Sequence, residues 1–516
     1  MRFSKIASAQ NYLLRPQIVT VETDISNGLH SFSIVGLPDK AVEEARDRVS
    51  AAIKNSGFKS PKQTNTKITV SLAPADMKKE GPLFDLPIAL GYLTAADLLR
   101  FDPEGRLFVG ELALDGRLRP ISGALSYARL ARELGMREIF VPIENAAEAA
   151  LISGIDVYGA ETLAQVVSHL DGYSGEKLCV TPAIDPLSLA PDREPASDLD
   201  DVVGQDIAKR GLVIAAAGRH NIALFGPPGT GKTMLARALM SIMPPLSLQE
   251  MLEVTEIHSV AGILDGAIMT RPPVRSPHHT SSYIAIVGGG GTLPKPGEIT
   301  LAHRGVLFMD EFPEFDSRVI ESLRQPLEDR TISLARAKGS AKYPADFILI
   351  AALNPCPCGN KGIIGKTCKC TLGDIRRYER RISGPIIDRI DMWIEVSKVE
   401  HAMLIRHRRG SAETDAARQT VLRARELQTK RAQELGLETV SNSAVAVRDL
   451  ARIARLSASA RETLERAARV YDLSGRGYHR TVKLARTIAD ISGSETIEAP
   501  HVLEALQYRQ RYFMGI

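Results

Sequence analysis

The sequence is poor in cysteine, has little excess of charge of either sign and contains no long hydrophobic run. Five cysteines among 516 residues cannot form a fully paired disulfide framework. A formal net charge of +4, from 65 basic and 61 acidic residues, indicates that any nucleic-acid contact must come from a local patch. No stretch approaches the roughly 20 apolar residues that cross a bilayer, and no signal-peptide core follows the first residues. We therefore expect a cytoplasmic protein without a membrane partner.

Length and composition indicate a globular chain of more than one domain. A single hydrophobic core is not expected at 516 residues, so two or three domains are predicted. The hydrophobic content of 44% and the charged content of 24% are typical of soluble proteins. We find no internal repeat at the periods of solenoid proteins. Alternating strand and helix patterns predict an α/β multidomain protein.

A complete phosphate-binding loop is the most informative feature of the chain. It follows an apolar run at 222–225 and precedes a helical pattern from Met234, which is the strand–turn–helix context this motif requires. Glycines let the backbone approach phosphate, and backbone N–H groups at a helix N-terminus bind the anion. Lys232 is predicted to reach the β- and γ-phosphates of ATP, and Thr233 to ligate Mg²⁺. The loop residues are Gly226, Pro227, Pro228, Gly229, Thr230, Gly231, Lys232 and Thr233.

Two further buried runs end in residues that suit phosphoryl transfer. The first ends in Asp310 and Glu311, and the second, at 347–353, is followed by Asn354. One carboxylate can hold Mg²⁺ and the next can orient the attacking water, so we assign Asp310 to the metal and Glu311 to the water. The amide of Asn354 can position the same water near the γ-phosphate. Together with the run before the phosphate loop, these runs predict a parallel sheet covered by helices, with ligands at the carboxyl ends of the strands.

Two arginines are candidates for offsetting transition-state charge. Arg389 lies in the short polar segment 383–391, before an apolar-rich run. Supplied across a subunit boundary, its guanidinium would act as an arginine finger, an effect worth about 10³–10⁵ in rate. Arg476, with Arg480 as second choice, opens a helix and could report the state of the γ-phosphate to a helical lid. Each arginine taken alone would be an ordinary surface ion-pair partner.

Four of the five cysteines form a close quartet. In a cytosolic enzyme such a quartet is more typical of a metal site than of disulfides. Four thiolates in tetrahedral array suit a structural Zn²⁺, although the C-x-C spacing departs from the commoner C-x₂-C pattern. Reduced thiols without metal are one alternative, and a redox pair or an iron–sulfur site is another. The quartet consists of Cys356, Cys358, Cys368 and Cys370, whereas Cys179 is interpreted as a lone buried or linker thiol.

The order of these motifs resembles that of an AAA+ ATPase: phosphate loop, acidic strand, asparagine strand, Asp-Arg-Ile-Asp and a late arginine. More narrowly, residues 200–395 are similar to the magnesium-chelatase-like branch of these proteins. The segments that carry this resemblance are Arg271 to Pro273, Ser276 to His279 and Gly297 to Glu311. The resemblance implies a parallel-sheet ATPase core followed by a helical lid.

The N-terminal region resembles the Lon-protease-like fold at two places. Segment 79–85 is similar to the stretch that carries the nucleophilic serine of that fold, and segment 110–125 is similar to the stretch that ends at its catalytic lysine. Leu83 and Leu125 stand at those two places. Leucine supplies neither a nucleophile nor a base, so Ser–Lys protease chemistry is excluded there. The expectation is a scaffold that binds DNA or supports ring assembly.

Composition divides the chain into parts. Residues 180–199 are rich in Pro, Asp and Ser without periodicity, which predicts a linker. A basic helix predicted from Glu400 to about Leu435 is interpreted as a solvated face, with DNA contact as the alternative. The predicted parts are a Lon-protease-like α/β domain at 1–175, a linker at 176–199, an AAA+ core at 200–395 with the cysteine cluster at 356–370, and a helical lid at 396–516.

With its N-terminal region included, nearly the whole chain resembles the ComM/YifB competence-protein family. This resemblance implies a ring-forming ATPase, expected as a homo-hexamer, that moves on DNA and promotes branch migration during recombination. Branched or single-stranded DNA is the expected partner, with proteins of the recombinase pathway as further partners. ATP, Mg²⁺ and a structural Zn²⁺ are the expected cofactors.

Two insertions in the predicted core are candidates for DNA contact. Segment 284–297 is a glycine-rich loop, and segment 331–343 is a candidate hairpin with a small, basic tip. In related AAA+ rings such insertions project into the central pore, where basic residues could track phosphates without reading sequence. Solvated loop charges are the alternative. The basic residues are Lys295, Arg336, Lys338 and Lys342.

Two other functions compete with a DNA motor. One is a chelatase subunit that remodels a partner inserting metal into a tetrapyrrole, and the other is a nucleotide-switched binding scaffold. The N-terminal domain and the cysteine quartet favour the motor over the chelatase, because a chelatase motor subunit is expected to resemble only the central region. The full set of Asp310, Glu311, Asn354 and Arg389 argues against the scaffold.

Overall fold

The chain forms two compact units, one of residues 1–190 with 248–270 and one of residues 191–247 with 271–516. Each unit has its own sheets and its own hydrophobic core. The structure is a computed structural model. It describes residues 2–171, 177–189, 198–290, 294–336, 339–362, 366–399 and 412–509, with the side chains of 335, 336 and 339–341 excepted.

The described strands and helices have the following bounds. The strands are β1 Phe3–Tyr12, β2 Arg15–Asn27, β3 Ser31–Val35, β4 Thr66–Ala73, β5 Arg106–Phe108, β6 Glu111–Leu112, β7 Leu118–Arg119, β8 Glu138–Pro142, β9 Asp156–Ala160, β10 Ile222–Phe225, β11 Val274–Arg275, β12 Gly288–Gly289, β13 Lys295–Pro296, β14 Val306–Met309, β15 Thr331–Arg336, β16 Gly339–Pro344, β17 Ile348–Leu353 and β18 Met392–Glu395. The helices are α1 Lys40–Asn55, α2 Asp85–Ala95, α3 Ala124–Glu133, α4 Ile143–Ala149, α5 Leu163–Asp171, α6 Asp206–Gly218, α7 Lys232–Ile242, α8 Leu248–Ala261, α9 Tyr283–Val287, α10 Glu298–Leu301, α11 Ser317–Ser322, α12 Arg324–Asp329, α13 Leu372–Glu379, α14 Gly384–Ile387, α15 Glu413–Leu435, α16 Val447–Ile453, α17 Ala458–Val470, α18 Gly475–Ile491 and α19 Ala499–Gln507. Among the described residues, none of these helices is long and apolar enough to cross a bilayer.

A four-stranded sheet in the order β1-β2-β4-β3 is the main sheet of the first unit. β1 pairs antiparallel with β2, β2 antiparallel with β4, and β3 parallel with β4. Alternation along β2 places Val19 and Val21 in the core, as the period-2 pattern of a half-buried strand predicts. A second, parallel sheet has the order β5-β8-β9. Helix α1 begins at Lys40, where Asp39 accepts a hydrogen bond from the Val42 N–H as N-cap.

Helix α8 comes from the middle of the chain yet packs within the first unit, against α3. The Ser259 hydroxyl accepts a 2.8 Å hydrogen bond from the Gly123 N–H at the start of α3. The buried Glu256 carboxylate accepts hydrogen bonds from the Ser126 hydroxyl at 2.8 Å and from the Arg129 guanidinium at 2.5 Å. Burial of these polar groups with partners fixes the helix in place. A stretch predicted as ATPase core thus contributes a helix to the first unit.

A five-stranded sheet in the order β11-β14-β17-β10-β18 forms the centre of the second unit. All of its pairs are parallel, with Leu224 opposite Ala352 and Phe308 opposite Ile350. β10, β14 and β17 are buried along their whole length, which is typical of strands covered on both faces by helices. The parallel sheet predicted from the three apolar runs is confirmed.

The C-terminal part of the described chain is helical, as predicted, from α15 to α19. These helices share one hydrophobic core with the parallel sheet, which contains Val421 of α15 and Ile488 of α18 beside Leu224 of β10. The Trp393 N–H of β18 donates to the Tyr508 carbonyl at 2.7 Å, which ties the last described turn to the sheet edge. The helix predicted to begin at Glu400 begins at Glu413 among the described residues, and 400–411 lie outside them.

Candidate active site

The phosphate loop joins β10 to α7 at the carboxyl edge of the parallel sheet. Gly229 and Gly231 adopt φ of 77° and 90°, the left-handed region in which a side chain would be strained. At Gly226 an added Cβ would lie 2.2 Å from the Val396 carbonyl oxygen, so a glycine is required there by contact with the neighbouring segment. The glycines of the motif therefore occupy positions where the backbone conformation or a close contact excludes a side chain.

The Lys232 ammonium lies at the mouth of this loop. Its Nζ donates to the carbonyl oxygens of Gly226 at 2.7 Å and Pro227 at 2.9 Å, and to Asn354 Oδ1 at 3.1 Å. The Thr230 hydroxyl also donates to the Pro227 carbonyl, at 2.9 Å. Burial lowers the pKa of Lys232 from its ordinary value. The structure thus brings the predicted phosphate-binding cation and the predicted water-positioning amide into direct contact.

Thr233 and Asp310 meet beside the lysine. Thr233 Oγ1 donates to Asp310 Oδ2 at 3.0 Å, and the Glu311 N–H donates to Asp310 Oδ1 at 2.9 Å. Thr233 lies in the first turn of α7, and Asp310 follows β14 directly. Hydroxyl and carboxylate oxygens at the carboxyl end of a parallel sheet are the ligands that Mg²⁺ prefers next to phosphates. The residues present therefore fit the ion.

His279 is a part of this site that reasoning from the sequence did not identify. Its Nδ1 lies 3.2 Å from Glu311 Oε2, in the only described ion pair of that carboxylate. Glu311 adopts a left-handed backbone conformation with φ of 51°. The rings of His279 and Phe315 form a T-shaped pair with centroids 6.4 Å apart. His278 and His279 belong to a segment that carries the family resemblance, but nothing in their spacing from Glu311 predicts the contact.

The cysteine quartet has the geometry of a tetrahedral sulfur site. Cys356 Sγ lies 3.4 Å from Cys358 Sγ and 3.7 Å from Cys368 Sγ, and Cys358 Sγ lies 3.7 Å from Cys368 Sγ. Together with Cys370, the four sulfurs all lie within 4.8 Å of one another. A zinc–sulfur bond of about 2.3 Å gives tetrahedral edges of about 3.8 Å, whereas a disulfide needs about 2.05 Å. The donor set fits zinc, and the lone Cys179 is exposed.

The cysteine loop packs directly behind the phosphate loop. An added Cβ at Gly359 would lie 2.7 Å from Pro228 Cδ, so the two loops are in close contact at this glycine. Tyr378, in the helix that follows Cys370, accepts a 3.4 Å hydrogen bond from the Asn354 N–H. Burial raises the pKa of Tyr378 above its ordinary value. The segment that carries the quartet therefore contacts the phosphate loop through Gly359, and the helix that follows it contacts Asn354 through Tyr378.

Arg389 lies at the opposite edge of the sheet from the phosphate loop. Its carbonyl oxygen accepts a 3.4 Å hydrogen bond from Asn221 Nδ2, immediately before β10, whereas Gly226 follows β10. At about 3.3 Å per residue these two edges are about 15 Å apart. The guanidinium donates to the Pro385 carbonyl at 2.7 Å and pairs with Glu328.

The late arginines lie at the same edge. Arg476, in the first turn of α18, donates to the other oxygen of Glu328 at 3.2 Å. Arg480 donates to the buried Asp391 at 2.9 Å. Burial opposes ionisation of Asp391, yet the charge of Arg480 and the His220 ring, 3.5 Å away, hold its pKa well below its usual range. The arginines predicted as separate elements therefore form one cluster, remote from the Lys232 of their own chain.

The two predicted DNA loops lie side by side. β15 and β16 form the predicted antiparallel hairpin, and the buried Tyr343 hydroxyl at its base donates to the Pro294 carbonyl at 2.6 Å. Segment 284–297, expected as a loop, contains most of α9 and a short ladder between β12 and β13, in which Gly288 and Gly289 pair with Pro296 and Lys295.

The basic residues of these loops differ in how far they are described. Lys295 and Lys342 are exposed. The side chain of Arg336, although its backbone is in β15, lies outside the described part, and Lys338 lies outside the described residues altogether. The role of these four residues stays a prediction.

Comparisons with known proteins identify the family. The family model described as "Magnesium chelatase, subunit ChlI" matches residues 198–404, and its companion models match 21–145 and 411–509. Competence protein ComM of Haemophilus influenzae is 42% identical over 513 residues, covering 99% of this chain and 98% of that protein. The chain belongs to the magnesium-chelatase-like ComM/YifB family. A YifB protein of Salmonella typhimurium is 43% identical over 95% of this chain and 94% of its own length.

Two more distant relatives match only part of the chain. The magnesium-chelatase 67 kDa subunit of Chlorobaculum parvum is 26% identical over 30% of this chain, and Lon protease 2 of Bacillus subtilis is 29% identical over 30%. The family models named for the chelatase subunit match the N- and C-terminal regions as well as the core. The expectation that a chelatase subunit resembles only the central region stays a prediction, because the chelatase subunit itself aligns over 30% of this chain.

Proposed function

We propose that the protein is an ATP-hydrolysing motor that acts on branched DNA during recombination. The observation that carries this proposal is the meeting of Lys232, Thr233, Asp310 and Asn354 at one sheet edge. It occurs in a chain that matches a competence protein over nearly its whole length. The meeting of these four residues supports nucleotide hydrolysis. The name of the competence protein supports DNA as the molecule on which the motor acts.

ATP is the proposed substrate of this site. Backbone N–H groups of the phosphate loop and the Lys232 ammonium bind the phosphates, because the loop presents donors and a cation to one anion. Thr233 and Asp310 would hold Mg²⁺ through their oxygens. Bound Mg²⁺ supplies positive charge that offsets charge on the phosphate oxygens. Asn354 holds the lysine in place and lies within reach of the same phosphates.

Glu311 orients the attacking water in this proposal, and His279 orients Glu311. The 3.2 Å contact between His279 Nδ1 and Glu311 Oε2 fixes one carboxylate oxygen and leaves the other for water. Glu311 is half exposed, so its direction depends on this contact rather than on surrounding packing. A fixed carboxylate raises the fraction of time in which water is aligned for attack.

Hydrolysis in a ring is proposed to need the arginine cluster of a neighbouring subunit. The backbone of Arg389 contacts Asn221, at the end of β10 that lies about 15 Å from the phosphate loop, and Arg476 shares the Glu328 carboxylate with Arg389. A guanidinium at that edge is better placed to meet the nucleotide of an adjacent copy. This supports a homo-oligomeric ring, expected as a hexamer, in which each ATP lies between two subunits.

The adjacent hairpins are the proposed DNA contact. Lys295 and Lys342 are exposed on neighbouring segments joined by the Tyr343–Pro294 hydrogen bond. Arg336 and Lys338 belong to the same hairpin by sequence. Lysine and arginine contacts with phosphate give sequence-independent binding, which a motor moving along DNA requires.

The cysteine quartet is proposed to hold a structural zinc ion. Cys356, Cys358, Cys368 and Cys370 would be the ligands, and the sulfur spacing supports a tetrahedral site. Bound zinc would cross-link the segment between Asn354 and α13. Because that segment packs on Pro228, the cross-link supports the shape of the phosphate loop.

The first unit is proposed to be a Lon-protease-like scaffold without protease activity. Leu83 and Leu125 occupy the places expected for the serine and lysine, and neither can act as a nucleophile or base. The partial similarity to Lon protease 2 supports this interpretation. Helix α8 follows α7 in the chain and belongs to this unit. This connection is consistent with a role of the unit in DNA binding or ring assembly.

A chelatase-type motor subunit that remodels a partner protein is the second candidate. It is favoured by the family models named for that subunit. The extent of the individual matches favours the DNA motor, because the chelatase subunit aligns over 30% of this chain and the competence protein over 99%.

A gel assay with purified protein, ATP and a synthetic four-way junction tests the proposed function. The motor predicts ATP-dependent conversion of the junction into duplex products, with linear duplex as control. Hydrolysis of ATP without junction binding or conversion would instead favour the chelatase-type function. A nucleotide-switched scaffold would bind ATP without significant turnover.

A further inference from the structure

Glu328 joins the two arginines of the cluster through one carboxylate. Its Oε2 pairs with Arg389 Nη2, and its Oε1 accepts a hydrogen bond from Arg476 Nη2 at 3.2 Å. Glu328 lies in α12, Arg389 follows α14, and Arg476 belongs to α18. Three elements far apart in the sequence therefore meet at a single side chain.

The carboxylate controls where both cations lie. The Arg389 side chain is 8% exposed, and a buried guanidinium that lost its anion would be costly, so it depends on Glu328 for its position. Arg476 is 58% exposed and would repel Arg389 without the intervening charge. Partial burial opposes ionisation of Glu328, but hydrogen bonding and charge from Arg389, with further charge from Arg476, hold its pKa below the ordinary value. The carboxylate therefore stays charged between the arginines at neutral pH.

Glu328 also lies next to the base of the β15–β16 hairpin. Arg330 follows it closely, and the Arg330 carbonyl accepts a 2.8 Å hydrogen bond from the Ala345 N–H, which closes that base. The Arg330 guanidinium pairs with the buried Asp346. The base of the hairpin and the arginine cluster are therefore both attached to the end of α12.

We propose that Glu328 is a positioning residue that holds Arg389 and Arg476 as one anion-binding pair for the nucleotide of the neighbouring subunit. This inference rests on the proposed function. Each guanidinium has five N–H donors, so a hydrogen bond to Glu328 leaves donors for phosphate oxygens. Two guanidiniums held at a fixed separation match a terminal phosphoryl group, whose charge is spread over several oxygens. Glu328 itself touches no nucleotide and acts through the arginines.

Glu328→Gln tests the role, with Glu321→Gln as the matched control. Glu321 forms an exposed pair with Arg324 at 3.0 Å in the same region, so its variant makes the same chemical change away from the cluster. We expect Glu328→Gln to lower kcat for ATP by about tenfold to hundredfold through misplacement of the arginines. ATP affinity should stay within about twofold, since Lys232 is at the other sheet edge. The control should keep wild-type values, and a wild-type kcat in Glu328→Gln would overturn the proposal.

A double-variant comparison separates positioning from general damage. If Glu328 acts through Arg389, adding Glu328→Gln to Arg389→Ala should lower kcat little further. If the fold-loss of kcat in the double variant equals the product of the losses in the two single variants, the proposal is contradicted. Glu328→Asp, which keeps the charge on a shorter side chain, should recover part of the activity, and it replaces Glu328→Gln in the comparison if thermal unfolding shows that the glutamine variant is not folded.

Mixed rings distinguish failure of this inference from failure of the proposed ring. Glu311→Gln subunits should restore hydrolysis to Arg389→Ala subunits and equally to Glu328→Gln subunits, because both defects lie on the arginine side of the interface. Glu328→Gln and Arg389→Ala subunits should not restore each other. If Arg389→Ala is not restored despite co-assembly, the trans arrangement fails. If Arg389→Ala is restored and Glu328→Gln is not, only the Glu328 inference fails.

Discussion

The Thr233 hydroxyl donates a 3.0 Å hydrogen bond to the Asp310 carboxylate, although the two residues come from a helix start and from the end of a different strand. The contact exists because β10 and β14 flank β17 in a parallel sheet and deliver their next residues to one edge. The two oxygens proposed as Mg²⁺ ligands are therefore adjacent, which reduces the cost of ordering the site.

Removal of the Glu311 carboxylate should separate ATP binding from hydrolysis. Glu311→Gln keeps the phosphate loop, Lys232 and the Asp310–Thr233 pair, so ATP affinity should be retained. Turnover should fall by about 10²-fold or more, because the carboxylate proposed to orient the attacking water is lost. Nucleotide-binding titration and steady-state hydrolysis of the same preparation measure both.

His279→Ala should lower kcat by about tenfold with little change in KM, whereas His278→Ala, which removes a hydrogen bond to Thr280, should not. Equal effects of the two histidine variants would contradict the orienting role of His279.

Zinc and ATP affinity should be linked. Elemental analysis of protein purified without added metal should find about one Zn²⁺ per chain. Cys358→Ser should lower the zinc content and weaken ATP binding, since Gly359 next to it packs on Pro228. Cys179→Ser, at an exposed cysteine outside the quartet, is the matched control and should change neither. Purified protein without bound zinc, or a variant that loses zinc but keeps its ATP affinity, would contradict the proposal that zinc stabilises the phosphate loop.

Neutralising the basic side chains of the hairpin should lower DNA-dependent activity and leave ATP hydrolysis without DNA unchanged. Replacing Arg336, Lys338 and Lys342 by glutamine should lower junction conversion and DNA-stimulated turnover. It should also flatten the salt dependence of DNA binding by nearly one unit of slope for each lost phosphate contact.

The matched control for the hairpin is a triple glutamine variant of the exposed arginines of α17, Arg461, Arg466 and Arg469. These side chains carry the same total charge in a region without a predicted DNA role. If both triple variants lose the same salt slope, bulk charge rather than the hairpin governs binding.

Asp346 should stabilise the second unit in a pH-dependent way. Its carboxylate lies 3.4 Å from Arg219 and 3.1 Å from Arg304, and pairs with Arg330. Burial opposes ionisation, but these arginines hold the pKa of Asp346 well below its usual range. A depressed carboxyl pKa contributes stability that is present above about pH 4 and is lost as pH falls toward the folded-state pKa. The unfolding temperature of the wild type should fall as pH decreases across this acid range.

Asp346→Asn should destabilise the protein by about 3–5 kcal/mol at neutral pH, because the buried Arg219 and the partly buried Arg304 and Arg330 lose their anion. Its unfolding temperature should fall less steeply below pH 4 than that of the wild type. Thermal unfolding at several pH values measures both. Parallel pH profiles for the two proteins would contradict the assigned role of Asp346.

The core of the site could be predicted from sequence because its signals are local. Apolar runs such as 222–225 and 347–353 mark buried strands, and the residues that follow them must share one edge of a parallel sheet. Lys232, Thr233, Asp310 and Asn354 are positioned by that rule alone. Arg389 and Arg476 could be chosen only as candidates, from their residue type and their order after these motifs.

Contacts that depend on tertiary packing could not be predicted. Glu328 meets its arginines only after α12, α14 and α18 have packed, and no spacing in the sequence encodes that meeting. His279 reaches Glu311 in the same way. The packing of α8 in the first unit also lacks a local signal, because an apolar face does not specify its partner.

The rate of ATP hydrolysis by the purified protein, with and without a synthetic four-way junction, tests the central claim most directly. A motor that moves on branched DNA predicts measurable basal hydrolysis that rises severalfold on saturation with the junction and rises less with linear duplex. Glu311→Gln should abolish both rates, which assigns them to this site. Hydrolysis that is unchanged by saturating junction DNA would contradict the claim that the protein is a DNA motor.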